Sequence, residues 1–245
     1  MRFAELMEIA PGFSAFTDSI PGDLDGRFVI RTHPAHSVVR QKDSRLESVG
    51  ILLSGTFRVI NELENGNVFM IEMNDAVSFV GEVALMAGAS HTSVTIEAVT
   101  DCLVAYLTAA EFDSWLSRDA CFLKALSSHV ARKLYFSSYH RGERQFYSSK
   151  YILLKYILGG ISDSELEKNG TAVLRKTRQQ ISEEVGMTVK TINRTLLRFC
   201  ENDWISICHG KVVLSAEQYS RAKKELKALV MQSRNGAPAS GESIE

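Results

Sequence analysis

Between Phe28 and Leu107 the apolar positions fall in short runs with turn residues between them. The runs are Phe28–Arg31, Ser37–Arg40, Val49–Leu53, Thr56–Ile60, Val68–Met73, Thr92–Val99 and Cys102–Leu107. Val94, Ile96 and Ala98 alternate with Ser93, Thr95 and Glu97, the two-residue period of a half-buried strand. Ser54-Gly55 and Asn65-Gly66 separate neighbouring runs, and Asn-Gly between apolar runs is a strong hairpin signal because both residues tolerate positive φ. Seven short strands so closely spaced predict a sandwich or barrel-like roll.

The period then lengthens. Thr108 and Glu111 form a capping box that opens a helix over Ala109–Leu116. Asp119 caps a longer helix through Phe122, Leu123, Leu126, Val130 and Leu134 towards His140. That stripe suits either a core face or a dimer seam. Ser148 opens a helix over Tyr151–Leu158, stopped by Gly159-Gly160, and Asn169-Gly170 predicts a second hairpin turn before Ala172–Leu174.

Residues 177–200 carry the sharpest pattern. Thr177 and Gln180 make a capping box, Ile181 and Val185 give an apolar face, Gly186 turns the chain, and Thr188 caps a helix holding Ile192, Leu196, Leu197 and Phe199. Two short helices around a glycine-bearing turn predict a helix-turn-helix. The second helix would present Val189, Lys190, Thr191, Asn193, Arg194 and Arg198 to solvent; its cations and amide suit phosphates and base edges. Trp204–Ile207 and Val212–Leu214 flank His209-Gly210-Lys211 as a wing hairpin, and Ser215 with Gln218 caps a last helix to about Met231, before a frayed stretch over Ser233–Glu245.

Composition sharpens this division. The chain has 245 residues, 45% hydrophobic and 23% charged, which excludes disordered, collagenous and coiled-coil classes. The net charge of −1 conceals a split. Residues 1–120 hold 8 Lys and Arg against 17 Asp and Glu, whereas residues 121–232 hold 19 against 10. An acidic sensor joined to a nucleic-acid-binding half has such a split, although solvated charges can also segregate by chance. No apolar run reaches membrane-span length, and Glu5 and Glu8 do not fit a signal peptide. Cys102, Cys121, Cys200 and Cys208 form no Cys-x-x-Cys pair, so reduced thiols in a cytoplasmic protein are expected rather than a cluster or zinc site.

From about Phe28 to Leu214 the chain resembles the cyclic-AMP receptor protein and fumarate–nitrate regulator (CRP/FNR) family of bacterial transcription factors. Three stretches carry the resemblance: Leu52-Leu53-Ser54-Gly55-Thr56-Phe57-Arg58-Val59, Phe79-Val80-Gly81-Glu82-Val83-Ala84-Leu85, and Thr177–Ile181 with Val185–Arg194. The first looks like the family's strand-turn-strand, the second like the opening of its phosphate-binding cassette, the third like its helix-turn-helix. The resemblance implies an α+β chain with an N-terminal β-roll of the cyclic-nucleotide-binding, double-stranded β-helix type, a long dimerisation helix and a C-terminal winged helix-turn-helix. The divisions would be residues 1–118 for the effector domain, 119–147 for the dimerisation helix and hinge, 148–232 for the DNA-binding domain and 233–245 for a flexible tail. It also implies a homodimer on an inverted repeat of double-stranded DNA, with RNA polymerase and a small-molecule effector as candidate partners, and no membrane. Thr177, Arg178, Thr188, Val189, Lys190, Thr191, Asn193, Arg194 and Lys211 are the expected DNA-binding residues. Gly81, Glu82, His91, Thr92, Ser137 and Ser138 are the expected effector-binding residues.

Departures from the family pattern bear on the effector. Ser90-His91-Thr92-Ser93-Val94 stands where cyclic-nucleotide binders carry an arginine for the cyclic phosphate, and Asn74-Asp75-Ala76-Val77 replaces the usual Pro-Gly-Asp turn. Losing a charge-assisted phosphate pair costs about 2–5 kcal/mol, so a cyclic nucleotide is not the expected ligand. Glu82 would hold a ribose hydroxyl or satisfy nearby backbone N–H groups. No cysteine precedes Cys102, which excludes the N-terminal iron–sulfur cluster of the oxygen-sensing branch. Haem would need His91 or His129 as an axial ligand; no cofactor is expected. In the recognition helix, Lys190 stands where many members carry a glutamate that accepts from cytosine N4, while Arg194 keeps the guanine-reading position. A ligand-independent regulator is the main alternative. A cupin-like metal-dependent oxygenase is a remote one, since His33 and His36 are the only close histidine pair and no matching ligand follows.

Overall fold

The computed structural model describes residues 1–235, including every side chain except those of 139–141, 143–145 and 232–235. It forms two compact units, Met1–Phe136 and Ser137–Glu245.

The first unit opens with helix α1 (Phe3–Ile9) and a 3-10 turn over Pro11–Ala15. Eight strands follow: β1 (Val29–His33), β2 (Val38–Arg40), β3 (Ser48–Ser54), β4 (Thr56–Glu62), β5 (Val68–Asp75), β6 (Ser78–Val80), β7 (Thr95–Ala98) and β8 (Cys102–Thr108). They make two antiparallel four-stranded sheets, ordered β1-β8-β3-β6 and β2-β7-β4-β5. Helix α2 (Glu82–Met86) lies between β6 and β7, and α3 (Ala109–Arg118) and α4 (Ala120–Phe146) follow β8. All seven predicted strands are present, with trimmed or extended ends. The eighth, β6, has three residues, all buried, too few to show an alternation. Thr95 also departs from the expected alternation: it is buried, and its Oγ1 accepts from the backbone N–H of Lys42 at 3.1 Å. The expected turn at Ser54-Gly55 depends on its glycine, since Gly55 has φ +96° and a Cβ there would meet Asp101 O at 2.3 Å.

Sheet alternation sorts the side chains of the roll into two cores. Leu52, Phe57, Val80, Ile96, Val104 and Tyr106 face one another between the sheets. Val49, Ile51, Phe79, Ala105 and Leu107 face the helices, where Leu6, Phe13, Phe112, Trp115 and Phe122 meet them. The Trp115 and Phe122 rings lie 4.5 Å apart, centre to centre, within this aromatic cluster. Capping proceeds as the sequence predicts: Thr108 and Glu111 complete a box at α3, and Asp119 Oδ1 accepts from the Phe122 N–H at 3.0 Å.

The stripe on α4 proves to be two faces. Phe122 and Leu126 are fully buried in the roll's helix-side core, with His129 against the Phe16 and Phe79 rings one turn further on. Leu123 is exposed, Val130 half-buried, and Leu134 is 64% exposed. Leu126 therefore does not belong to a dimer seam, because the roll already covers it.

The second unit contains α5 (Ser149–Gly159), α6 (Asp163–Asn169), β9 (Thr171–Leu174), α7 (Arg178–Val185), α8 (Val189–Glu201), β10 (Ser206–Cys208), β11 (Lys211–Ser215) and α9 (Ala216–Asn235). The antiparallel sheet runs β10-β11-β9. Asn169-Gly170 is not a hairpin turn: Asn169 ends α6, and Gly170 is its left-handed C-cap leading into β9. Ser215 and Gln218 cap α9, which continues past Met231 to Asn235. The remainder of the expected tail, 236–245, lies outside the described residues.

Phe122→Ala should remove about 3–5 kcal/mol from the first unit through cavity formation, and Lys124→Ala, at an exposed position of the same helix, less than about 0.5 kcal/mol. Urea denaturation followed through Trp115 fluorescence in a Trp204→Phe background measures both; equal losses would contradict the division of α4 into two faces.

Candidate nucleic-acid interface and roll interior

Local hydrogen bonds determine which side of α8 faces out. Thr177 Oγ1 accepts from the Gln180 N–H at 3.1 Å, and Gln180 Oε1 accepts from the Thr177 N–H at 2.8 Å, closing the box at the start of α7. Gly186 ends α7 in the left-handed conformation, φ 67° and ψ 37°, and its N–H donates to Ser182 O. Thr188 Oγ1 accepts from the Thr191 N–H at 3.2 Å and starts α8. Ile181, Val185, Ile192, Leu196 and Phe199 are buried together. With that side inward, Lys190, Asn193, Arg194 and Arg198 are exposed, whereas Val189 and Thr191 are half-buried. Thr177 and Thr188 are exposed, with hydroxyls engaged as caps. Leu197, one of the apolar residues of this helix, is 60% exposed, with exposed Arg194 and Arg198 before and after it in the chain.

Two other expected contacts take different forms. Arg178 is half-buried with Nη1 shut from solvent and unpartnered, and burial lowers its pKa. The β10–β11 hairpin turns through His209 and Gly210, at φ 47° and 74°, as a two-residue turn with positive φ requires. Lys211 begins β11 opposite Cys208, half-buried. The result is a helix-turn-helix followed by a two-stranded wing.

Inside the roll, Glu82 starts α2 and is 3% exposed. Its Oε1 accepts from Lys133 Nζ on α4 at 2.9 Å, and Lys133 also donates to Glu72 Oε1 on β5 at 2.8 Å. Burial raises the pKa of Glu82 against the opposing pull of Lys133. Burial also works against the charge on Lys133, but Glu82 and Glu72 outweigh it and raise that pKa. Lys133 follows Phe122, Leu126 and His129 at helical spacing, and nothing in the sequence pattern singles it out. Of the two alternatives for Glu82, neither is its main contact, because a cation from α4 meets it. Thr92 is buried, and its hydroxyl donates to Gln41 O at 2.9 Å. His91 is exposed, its Nδ1 3.0 Å from Ser90 Oγ. Ser137 and Ser138 are exposed in the second unit. Gly81, Glu82 and Lys133 are thus gathered at one place, with the Thr92 hydroxyl engaged elsewhere.

The histidine pair proposed for an oxygenase does not gather: His33 Nε2 bonds Tyr106 Oη at 3.1 Å, and His36 sits in a turn at φ 67°. Among the described residues no three His, Cys, Asp or Glu side chains group to hold a metal, the four cysteines are unpaired, and no helix is long and apolar enough to cross a membrane.

An antiparallel roll followed by a winged helix-turn-helix defines a class of ligand-sensing transcription regulator. Residues 30–119 match the family model of the cyclic nucleotide-binding domain. The cAMP-activated global transcriptional regulator CRP of Salmonella typhimurium is 24% identical over 187 residues, 76% of this chain and 88% of that protein. The c-di-GMP responsive global regulator CLP of Xanthomonas campestris shares the fold with a TM-score of 0.69 at 18% identity, over 87% of this chain and 99% of that one. So does a transcriptional regulator of the CRP/FNR family from Thermus thermophilus, with a TM-score of 0.60 at 20% identity, over 83% and 98% of the two chains. Over these spans the chain is similar to CRP/FNR-type bacterial transcription regulators, and the relatives named above are regulators rather than enzymes.

Lys133→Ala leaves Glu82 buried without its cation, which should cost about 3 kcal/mol near pH 8. In that variant the raised Glu82 pKa makes the carboxyl's contribution complete below the unfolded value and lost as pH rises through the folded one. The deficit relative to wild type should therefore shrink towards about pH 5 in thermal denaturation across pH; a pH-independent deficit would refute this.

Proposed function

We propose that this chain is a homodimeric, sequence-specific DNA-binding regulator whose roll answers an effector other than cyclic AMP. The observation that carries DNA binding is the outward side of α8, where Lys190, Asn193, Arg194 and Arg198 are exposed while Ile192, Leu196 and Phe199 hold the helix in place. Arg194 lies one turn into the helix, and its guanidinium fork matches guanine O6 and N7. Lys190 cannot accept from cytosine N4, so a phosphate or guanine is its partner. Thr177, Thr188, Val189, Thr191 and Lys211 are the further DNA contacts in this reading, and Arg178 takes a backbone phosphate once its half-buried guanidinium swings outward. In this reading residues 1–118 sense, 119–147 dimerise and 148–232 bind DNA.

Leu123 and Leu134, with Tyr135 and Phe136 beside them, are exposed apolar groups on α4, and they favour this helix as the seam between two copies. Two features argue against cyclic AMP: no arginine lies in Ser90–Val94, and Glu82 already holds Lys133. An effector shifts the equilibrium only if it prefers one dimer arrangement. The Glu82–Lys133 pair also favours a second reading, a regulator whose roll needs no ligand, because the buried carboxylate is satisfied from within.

Arg194→Ala should cost about 1–3 kcal/mol in DNA binding and relax preference at one base pair of each half-site. Binding-site selection should return an inverted repeat with half-sites about 34 Å apart; an unchanged motif for the variant, or a site lacking two-fold symmetry, refutes the docking. Val130→Glu with Leu134→Glu should produce monomers in sedimentation, and persistent dimers would place the seam elsewhere. Calorimetry with cyclic AMP should show no micromolar binding, and such binding would overturn the choice of effector.

A further inference from the structure

Around Tyr106 the roll places His33 at the hydroxyl, Arg31 over the ring and Arg40 close enough to act on its charge, and none of the three forms an ion pair with a carboxylate among the described residues. Arg31 stands opposite Val104 across the β1–β8 ladder, and His33 opposite Cys102. Both therefore share the face on which Val104 and Tyr106 point between the sheets. His33 Nε2 lies 3.1 Å from Tyr106 Oη, and Arg31 Cζ lies 5.7 Å from the Tyr106 ring centre. From β2, the Arg40 guanidinium comes in beside the cassette turn, where a Cβ on Gly81 would stand 4.0 Å from Arg40 Cζ.

Arg40 is held but not neutralised. Its Nη2 donates to Ser48 O at 2.8 Å and Ser48 Oγ at 3.2 Å, while its Nε is shut from solvent with no partner. Arg31 and Arg40 both act on Tyr106, and Arg31 also acts on Arg40 and His33 as a like charge. Glu47 is the carboxylate that bears on Arg40, and it forms no ion pair with it among the described residues. An anion joining Arg40 and Arg31 would offset the desolvation of Arg40, whose lowered pKa is due mainly to burial. A buried donor without a partner marks where that group would bond.

We infer that Arg31, Arg40 and the Tyr106 hydroxyl form a binding site for a small multivalent oxyanion, a phosphate or a polycarboxylate, on the face between the two sheets. Arg40 contributes its free Nε–H, Arg31 closes from the exposed edge strand β1, and the phenol donates once His33 Nε2–H donates to it. Burial pushes the Tyr106 pKa up to about 12 against the pull of both arginines, so the phenol keeps its proton at neutral pH. Lys133 is engaged by Glu72 and Glu82, so it does not compete with these arginines for the anion. This deepens the reading of the roll as an effector domain by naming the ligand's chemistry.

The test is thermal denaturation of the full chain titrated with inorganic phosphate or with citrate, against sodium chloride at equal ionic strength. A saturable rise in Tm beyond the chloride control is expected in at least one arm, and the tighter arm tells phosphate from carboxylate. Arg31→Gln, at an exposed position, should weaken that response about tenfold, as for loss of one charge-assisted contact. Arg40→Gln should weaken it as well. Arg27→Gln, which removes a charge that pairs with Glu111 instead, should respond like wild type. No rise beyond chloride in either arm, an unshifted Arg31→Gln curve, or an equal loss in Arg27→Gln would each overturn the site. Site-selected DNA binding by the same preparation is read separately: a protein that binds DNA and ignores both anions loses this site and keeps its proposed function.

Discussion

The first unit depends on how the first four turns of α4 are held against the roll. Phe122 and Leu126 are fully buried there, His129 lies on the Phe16 and Phe79 rings, and Lys133 reaches Glu72 and Glu82. The anchor is thus apolar at one end and ionic at the other. Apolar burial is indifferent to small shifts along the helix, whereas two carboxylates aimed at one ammonium are not. Lys133 therefore sets the helix's position relative to the cassette turn at Gly81 and Glu82. Burial raises the Glu82 pKa, and the Lys133 ion pair opposes that shift.

Much of the architecture was legible because its signals are local. Capping boxes at Thr108, Thr177 and Ser215, the left-handed glycine after α7 and the positive-φ turns all act within four residues. What stayed hidden depends on distant partners. Helix α1 and strand β6 are too short to express a period, yet Leu6, Phe13 and Phe79 are central to the aromatic core. Leu123, Leu126 and Leu134 share an apolar character, but the roll covers only Leu126. Asn169-Gly170 reads equally as a hairpin or a helix end; the helical residues of α6 before it decide the outcome.

The site was legible in outline and illegible in its pairings. The exposed face of α8 follows from amphipathic spacing, and Lys190, Asn193 and Arg194 lie on it. Glu82 was recognisable from the cassette, whereas its partner stands 51 residues away, and nothing local distinguishes Lys133 from the other cations of α4. The same holds for Thr92: its hydroxyl donates to Gln41, a partner 51 residues away. Sequence identifies which groups can bond; the fold decides which are already bonded.

Leu197 and Arg178 show how this bears on DNA reading. An exposed leucine with exposed arginines before and after it in a recognition helix gains nothing from water, and burial against a thymine methyl or a sugar would repay its exposure. Arg178 presents the opposite case, a cation drawn partly inside with one nitrogen unpaired. An arginine kept ready by incomplete satisfaction loses little internal bonding when a phosphate draws it out, since its buried Nη1 has no partner to give up. In the proposed complex α8 then contributes apolar as well as ionic contact. Affinity would consequently fall less steeply with salt than the count of exposed cations on this unit implies, because counterion release scales with phosphates neutralised and not with methyl groups buried.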